Sequence, residues 1–239
     1  MNGTRVALIT GGAKRLGAHL ARALKEDGWT VVVNTRRSDG DATRLVDDLT
    51  RGGGRARWIQ GDVADKGDVA SMFASVAAEE GRLDLLINNV GVYEPKPLRD
   101  TTPQDWDAQL LPNLSGAFYC CHSALPMLER VAGSVINIGY AGLHRGGANP
   151  RATAYEASKA GLLVLTRSIA VEYADRGVRA NMISPGQLEN SVDLPEDVTR
   201  AVPLGRAGTL HDMAGALRYL LGAAYVTGQN IEVAGGYRL

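Results

Sequence analysis

The sequence predicts a doubly wound α/β fold: a parallel sheet with helices packed on both of its faces. Three observations predict it. Short apolar runs at 6–9, 31–33, 57–59, 85–87, 135–138, 179–183 and 231–233 alternate with longer segments, 16–24, 69–78, 106–128, 157–173 and 212–221, whose apolar residues recur at helical spacing. The runs are apolar on both faces, as strands are when helices cover them from either side. A glycine-rich turn, Thr10-Gly11-Gly12-Ala13-Lys14-Arg15-Leu16-Gly17, joins the first run to the first helical segment.

The first strand, Val6 to Ile9, enters that turn directly. A tight turn there lets the backbone approach a pyrophosphate with no Cβ in the way, which Gly11 and Gly12 permit, and the helix start favours the anion. Gly17 lets the helix pack closely on the strand. Together these read as a Rossmann-type dinucleotide site. The second strand ends in Asn34-Thr35-Arg36-Arg37-Ser38. A site built for NAD places a carboxylate on the ribose about 20 residues after the glycines. Here there is none; Arg36, Arg37 and Ser38, with Lys14 and Arg15 in the turn, suit a 2′-phosphate instead. The expected cofactor is NADP(H). Asp62-Val63 follows the third strand, where the carboxylate can accept from an adenine amine. Asn88-Asn89-Val90-Gly91 closes the fourth and can pin the loop against the cofactor. The irregular stretches 93–103, 141–151 and 184–206 follow strands, on the side where such sheets bind ligands.

Tyr155 and Lys159 stand four residues apart in the helical segment after the fifth strand, on one helix face. The ammonium favours phenolate, which brings a phenol within reach of acid–base work near neutrality.

The totals bound the rest. At 239 residues, with no repeat or linker, one domain spanning 1–239 is expected. Lys+Arg and Asp+Glu are both 26, which argues against nucleic acid or an anionic membrane as partner. Cys120 and Cys121 are adjacent in an apolar run and read as buried thiols, compatible with a reducing compartment. The chain opens almost on the first strand, without a leader-like start, and no apolar run approaches about 18 residues. A soluble, cytoplasmic protein is expected. His19, His122, His144 and His211 show no metal-ligand spacing, so no metal is expected.

These residues resemble the short-chain dehydrogenase/reductase family over essentially the whole chain. The matching pieces are the glycine turn, Asp62-Val63, Asn88-Asn89-Val90-Gly91, Asn113, Tyr155 with Lys159, Ser184-Pro185-Gly186, Pro203-Leu204-Gly205-Arg206, and Tyr225-Val226-Thr227-Gly228-Gln229 leading to Gly235-Gly236. The resemblance implies that Tyr155 donates the proton and that Lys159 holds the nicotinamide ribose and tunes Tyr155. It also implies that Asn113 sits in a water-mediated proton relay, that Pro185 and Gly186 flank the nicotinamide, and that the chain forms a homotetramer or homodimer. Asn190 stands where the family often has a Thr on the nicotinamide carboxamide.

Two departures matter. Arg15 occupies the place of the family's usual third glycine; it resembles pteridine reductases there, as does Tyr93, at the place of their stacking ring. The family's serine after strand five is absent: the segment reads Asn137-Ile138-Gly139-Tyr140-Ala141-Gly142, and no Ser lies between Ser134 and Ser158. Tyr140 is the candidate replacement donor; pocket wall is its other reading. His144 and Arg145 read as solvated loop residues or substrate contacts.

Three functions follow in order. The first is an NADPH-dependent reduction of a carbonyl in a small-molecule substrate, a 3-oxoacyl thioester on a carrier protein or coenzyme A. Arg145, Arg151 and Arg206 would then supply a basic patch. The second is reduction of a dihydropterin or dihydrofolate. The third is a non-catalytic dinucleotide sensor or structural subunit, against which the retained Tyr155, Lys159 and Asn113 argue.

Overall fold

A computed structural model describes residues 4–143, 148–191 and 194–238. His144 and Arg145 lie outside the described residues. Strands β1 (Val6–Ile9), β2 (Thr30–Thr35), β3 (Ala56–Gln60), β4 (Leu85–Asn88), β5 (Ser134–Ile138), β6 (Arg179–Pro185) and β7 (Asn230–Val233) form one sheet in the order β3-β2-β1-β4-β5-β6-β7. Every pairing is parallel. The order reverses between β1 and β4, which opens a crevice beyond their C-terminal ends, where doubly wound sheets bind ligands.

One face is covered by α1 (Arg15–Glu26), α2 (Asp39–Thr50) and α8 (Leu210–Gly222), whose Leu20, Leu24, Leu45 and Leu217 bury against Ile9, Val33 and Ile87. The other is covered by α3 (Lys66–Glu79), α5 (Gly116–Glu129) and α6 (Thr153–Glu172), through Val69, Phe73, Cys120, Cys121 and Ile169 on Leu8, Leu86 and Val135. Both cysteines are free and buried, and burial pushes the Cys121 thiol up to about 12. No helix among the described residues is long and apolar enough to cross a membrane.

Several elements differ from the sequence expectation, among them α2, which no expected helical segment covers. β2 runs longer than its apolar core because Asn34 is buried and satisfied, accepting from the Gly11 amide (3.2 Å) and donating to the Gly61 carbonyl (2.9 Å). The expected helix 106–128 begins at Pro103, behind a Thr102/Asp105 capping box, as α4 (Pro103–Leu110). It then passes through a π-helical turn, Leu111–Ser115, before α5; Pro112 in that turn has no amide proton for an ordinary helical bond. The irregular stretch 184–206 carries a single-turn helix, α7 (Val198–Ala201), and a bridge from Leu188 to Gly208.

Candidate active site

The glycine turn leaves β1 with Gly11 at φ +57° and enters α1 with Arg15 at φ +48°. Glycine adopts the first freely, whereas a side chain at the second is under strain, which accounts for the glycine common at that place in related turns. A Cβ on Gly12 would meet the Ile9 carbonyl oxygen at 3.0 Å, and one on Gly17 would meet Gly12 Cα and Asn89 Nδ2 at 2.7 Å. Gly17 thus seats α1 on the turn. Asn89 Nδ2 donates to the Thr10 and Gly11 carbonyls (3.1 and 3.0 Å), and Thr10 Oγ1 accepts from the Asn89 amide (3.1 Å).

The turn forms one wall of a groove of about 520 Å³, lined also by Leu16, Arg36, Arg37, Ser38, Asn89 and Gly91. Lys14 pairs with Asp41 (2.5 Å), and Arg36 pairs with Asp62 (3.1 Å). Asp62 is not among the residues that line the groove, and its carboxylate is already engaged: Oδ2 holds Arg36 and Oδ1 takes the Ala64 amide (2.9 Å). Val63 points into the core, against which Gly116 is packed so closely that a Cβ there would lie 2.9 Å from Val63. Only the Val63 backbone can face a ligand. Asn190 is exposed and lines neither the groove nor the cavity beside Tyr155.

At the far end of the groove, α6 carries Tyr155 and Lys159. Lys159 is buried and donates to the Ile138 carbonyl at 2.8 Å; burial pushes its ammonium down to about 8. Its Nζ lies 5.8 Å from the Tyr155 ring centre and 3.7 Å from where a Cβ on Gly91 would stand. The Asn113 side chain donates to the Val92 carbonyl (2.9 Å) and to Ser158 Oγ (3.2 Å), and accepts from the Val92 amide (2.7 Å). The π turn aims it inward, and it ties α6 to the loop after β4. Asn88 turns away from the groove, donating to Asn137 Oδ1 (2.8 Å), whose own amide reaches Thr166 (2.8 Å).

Tyr155 opens into a cavity of about 190 Å³ lined by Tyr93, Tyr140, Glu156, Pro185, Gly186, Gln187, Tyr237 and Arg238 among others. The Tyr93 and Tyr140 rings meet the Tyr155 ring edge-on, at 4.9 and 5.7 Å between centres. Tyr140 lies in the cavity as the sequence led one to expect, but its one hydroxyl proton is directed to Glu156 Oε1 (2.6 Å), while its oxygen accepts from Arg238 (2.9 Å). Burial, and then the Glu156 carboxylate, push this phenol well above its ordinary value. In this arrangement its proton is not free for a substrate. Glu156, Gln187, Tyr237 and Arg238 escaped the sequence reading. Glu156 sits inside the Tyr155–Lys159 spacing and could have been noticed; nothing local marks Arg238, which meets Tyr140 from 98 residues away. Arg206 is paired with Asp212 (2.8 Å). Among the described residues no group of three or more His, Cys, Asp or Glu could hold a metal.

Comparison with known proteins agrees with this geometry. A family model described as Enoyl-(Acyl carrier protein) reductase matches residues 11–238. A 3-oxoacyl-[acyl-carrier-protein] reductase of Staphylococcus aureus is 35% identical, with 99% of each chain covered. A blue fluorescent protein from a metagenomic library, solved in complex with NADPH, is similar at TM-score 0.90 and 31% identity over 98% of both chains. A Serratia marcescens short-chain dehydrogenase/reductase is similar at TM-score 0.91 and 26% identity, again over 98% of both. A glycine turn at the crevice, a Tyr and a Lys on one helix face beside it, and these matches along nearly the whole chain have one reading: the chain belongs to the short-chain dehydrogenase/reductase family of oxidoreductases.

Proposed function

We propose that this oxidoreductase uses NADPH to reduce a carbonyl, with a 3-oxoacyl thioester, on a carrier protein or coenzyme A, as substrate. The observation that carries the reading is the placement of Tyr155 and Lys159 where the cationic groove meets the cavity. The groove fits the cofactor: its glycine turn leaves no room for Cβ atoms at Gly12 and Gly17, and Lys14, Arg15, Arg36 and Arg37 gather four cations around one end. Gly11, Leu16, Ser38, Asn89 and Gly91 would complete the cradle, with Asp62 holding Arg36 in place. The bound cofactor supplies a hydride.

The chain supplies the rest. Pro185 and Gly186 wall the site beside Tyr155. Lys159, buried and pinned to the Ile138 carbonyl, keeps positive charge beside the phenol and eases proton release from its oxygen. Tyr155 gives that proton to the carbonyl oxygen as it becomes an alcohol. Asn113 holds the loop after β4 against α6, which fixes the height of Tyr155. The S. aureus relative, a 3-oxoacyl-[acyl-carrier-protein] reductase by name, favours the thioester. A dihydropterin is the second reading, favoured by the three tyrosine rings, of Tyr93, Tyr140 and Tyr237, that wall the small cavity.

The test is NADPH consumption with acetoacetyl thioester and a dihydropterin side by side, for the wild type and Tyr155→Phe. Turnover of the thioester that disappears in the variant is expected. Turnover of the dihydropterin alone moves the substrate to the second reading. Tight NADPH binding without turnover of either would sink both substrate readings and leave a reductase of another substrate or a dinucleotide sensor.

A further inference from the structure

The family's serine after β5 is missing, and Tyr140 does not fill its role while its hydroxyl donates to Glu156. The carbonyl oxygen gathers negative charge as hydride arrives, and a fixed donor aimed at it is worth more in the transition state than in the ground state. The cavity contains a donor of a different kind. Arg238, from the segment after β7, lines both the cavity around Tyr155 and the cleft next to it. Its guanidinium carbon lies 5.3 Å from the centre of the Tyr140 ring, which itself packs edge-on against Tyr155. In a space of about 190 Å³, a substrate that reaches Tyr155 also meets Arg238.

The arginine is held there by its surroundings. Its backbone takes φ +59°, a left-handed conformation that costs a side-chain-bearing residue energy. Its side chain lies across Gly142, itself at φ +92°, where a Cβ would come within 3.0 Å of Arg238 Cδ. The Gly142 amide donates to Glu232 of β7 (3.0 Å), which ties the loop after β5 to the C-terminal segment. Tyr140 and Tyr237 each engage the guanidinium, which also lies 5.6 Å from the Tyr237 ring centre, and the ion pair with Glu156 is loose at 3.6 Å, which still leaves N–H groups of the five to spare. Tyr140 and Glu156 thus aim the cation without saturating it.

We propose that Arg238 is a catalytic residue: its guanidinium donates to the reacting carbonyl oxygen in place of the absent serine hydroxyl, with Tyr140 and Glu156 as positioning residues. This rests on the carbonyl-reductase reading. In the step, hydride from the reduced cofactor forms the new C–H bond, the C=O π electrons move to oxygen, and Tyr155 supplies the proton. Arg238 keeps all its protons.

The experiment compares wild type with Arg238→Met, Arg238→Lys, Arg238→Ala, Tyr140→Phe and Ser191→Ala, the last because Ser191 also lines the cavity. With acetoacetyl thioester, Arg238→Met should lower kcat by roughly 10²–10³-fold, the usual loss for one such donor, with the Kd for NADPH at its wild-type value. Arg238→Lys should recover part of the rate, and added guanidinium should restore part of it to Arg238→Ala. Titration calorimetry of acetoacetate, whose carboxylate presents an anionic oxygen, into the NADP⁺-saturated proteins should show at least about tenfold weaker binding in Arg238→Met, as loss of a charge-assisted hydrogen bond implies. Equal acetoacetate affinity in wild type and Arg238→Met would overturn the proposal. So would a kcat loss in Tyr140→Phe or Ser191→Ala as large as that in Arg238→Met. Wild type that reduces no carbonyl would defeat the reductase reading and the catalytic role of Arg238 with it, whereas wild-type turnover with equal acetoacetate affinities would defeat the Arg238 proposal alone.

Discussion

Lys159 is an ammonium that no carboxylate pairs with among the described residues, held by one carbonyl in a fully buried place. Burial disfavours its charged form, so its folded value of about 8 lies below the ordinary 10.5. The sign of the linkage follows. Between those two values the unfolded chain keeps a proton that the folded chain has released, so stability rises with pH across that window. Below about 8 both states hold the proton, and the folded state bears the whole burial penalty. Without cofactor, Lys159→Met should therefore be more stable than wild type at pH 7, by an amount that shrinks toward pH 10.5. Urea titrations of both proteins at several pH values check this; a gap independent of pH would show that Lys159 is not under strain. At this scale the sequence revealed Tyr155 and Lys159 because one helix turn places them together. It concealed Glu156's bond to Tyr140 and the whole of Arg238, because the partners of Arg238 belong to another strand's loop and no local periodicity links them.

The β2–α2 connection shows what patterning can and cannot reveal at the level of elements. Its two arginines were legible as groove residues because a side chain at the end of the second strand faces the groove by topology. The helix that follows, α2, was not legible: only Ala42, Leu45 and Leu49 of its residues are buried, too sparse an apolar stripe against Gly40 and its four aspartates. Its first-turn Asp39 and Asp41 favour the helix start instead, and Asp41 doubles as the partner of Lys14. Likewise the helix before β5 reads as continuous in apolar spacing, while Pro112 converts its middle into the wide turn that delivers Asn113. The functional consequence lies with Arg36 and Arg37. Arg36 is steadied by Asp62, and Arg37 is exposed at the groove. Replacing both with Ala should raise the Kd for NADPH by roughly 10- to 100-fold, as expected for lost charge-assisted bonds, and leave that for NADH nearly as it was. Fluorescence titration with each cofactor measures it. Equal weakening for both would mean that the arginines support the loop and read no 2′-phosphate.

The parallel sheet and its two covering layers were legible from alternation alone, but the strand order and the outer surfaces of those layers carry information only the folded chain displays. On α5 and α6, Phe118, Val164 and Val171 are 49%, 64% and 81% exposed, on the layer that also carries Tyr155. Beyond it, at the β7 edge, Tyr219 and Tyr225 are exposed as well. A sequence pattern assigns such residues to a helix but cannot say that their apolar sides face outward, because the core already has enough to fill it. Exposed apolar clusters of this kind are costly to leave in water and mark association surfaces. Two separate clusters, one on the α5–α6 face and one beside the β7 edge, suit two different two-fold contacts, and two such contacts on one chain close into a tetramer, a dimer of dimers. We therefore expect a homotetramer, about four times the 25.4 kDa of the chain, in sedimentation equilibrium. Val164→Glu combined with Val171→Glu places two charges in one contact, where burial without partners is prohibitive, and should leave a homodimer held by the other. Since α6 carries both the contact and Tyr155, that dimer should lose turnover along with mass, through a less rigid active-site helix. A wild-type monomer would remove the idea, and a tetramer indifferent to both glutamates would move the contact away from α6.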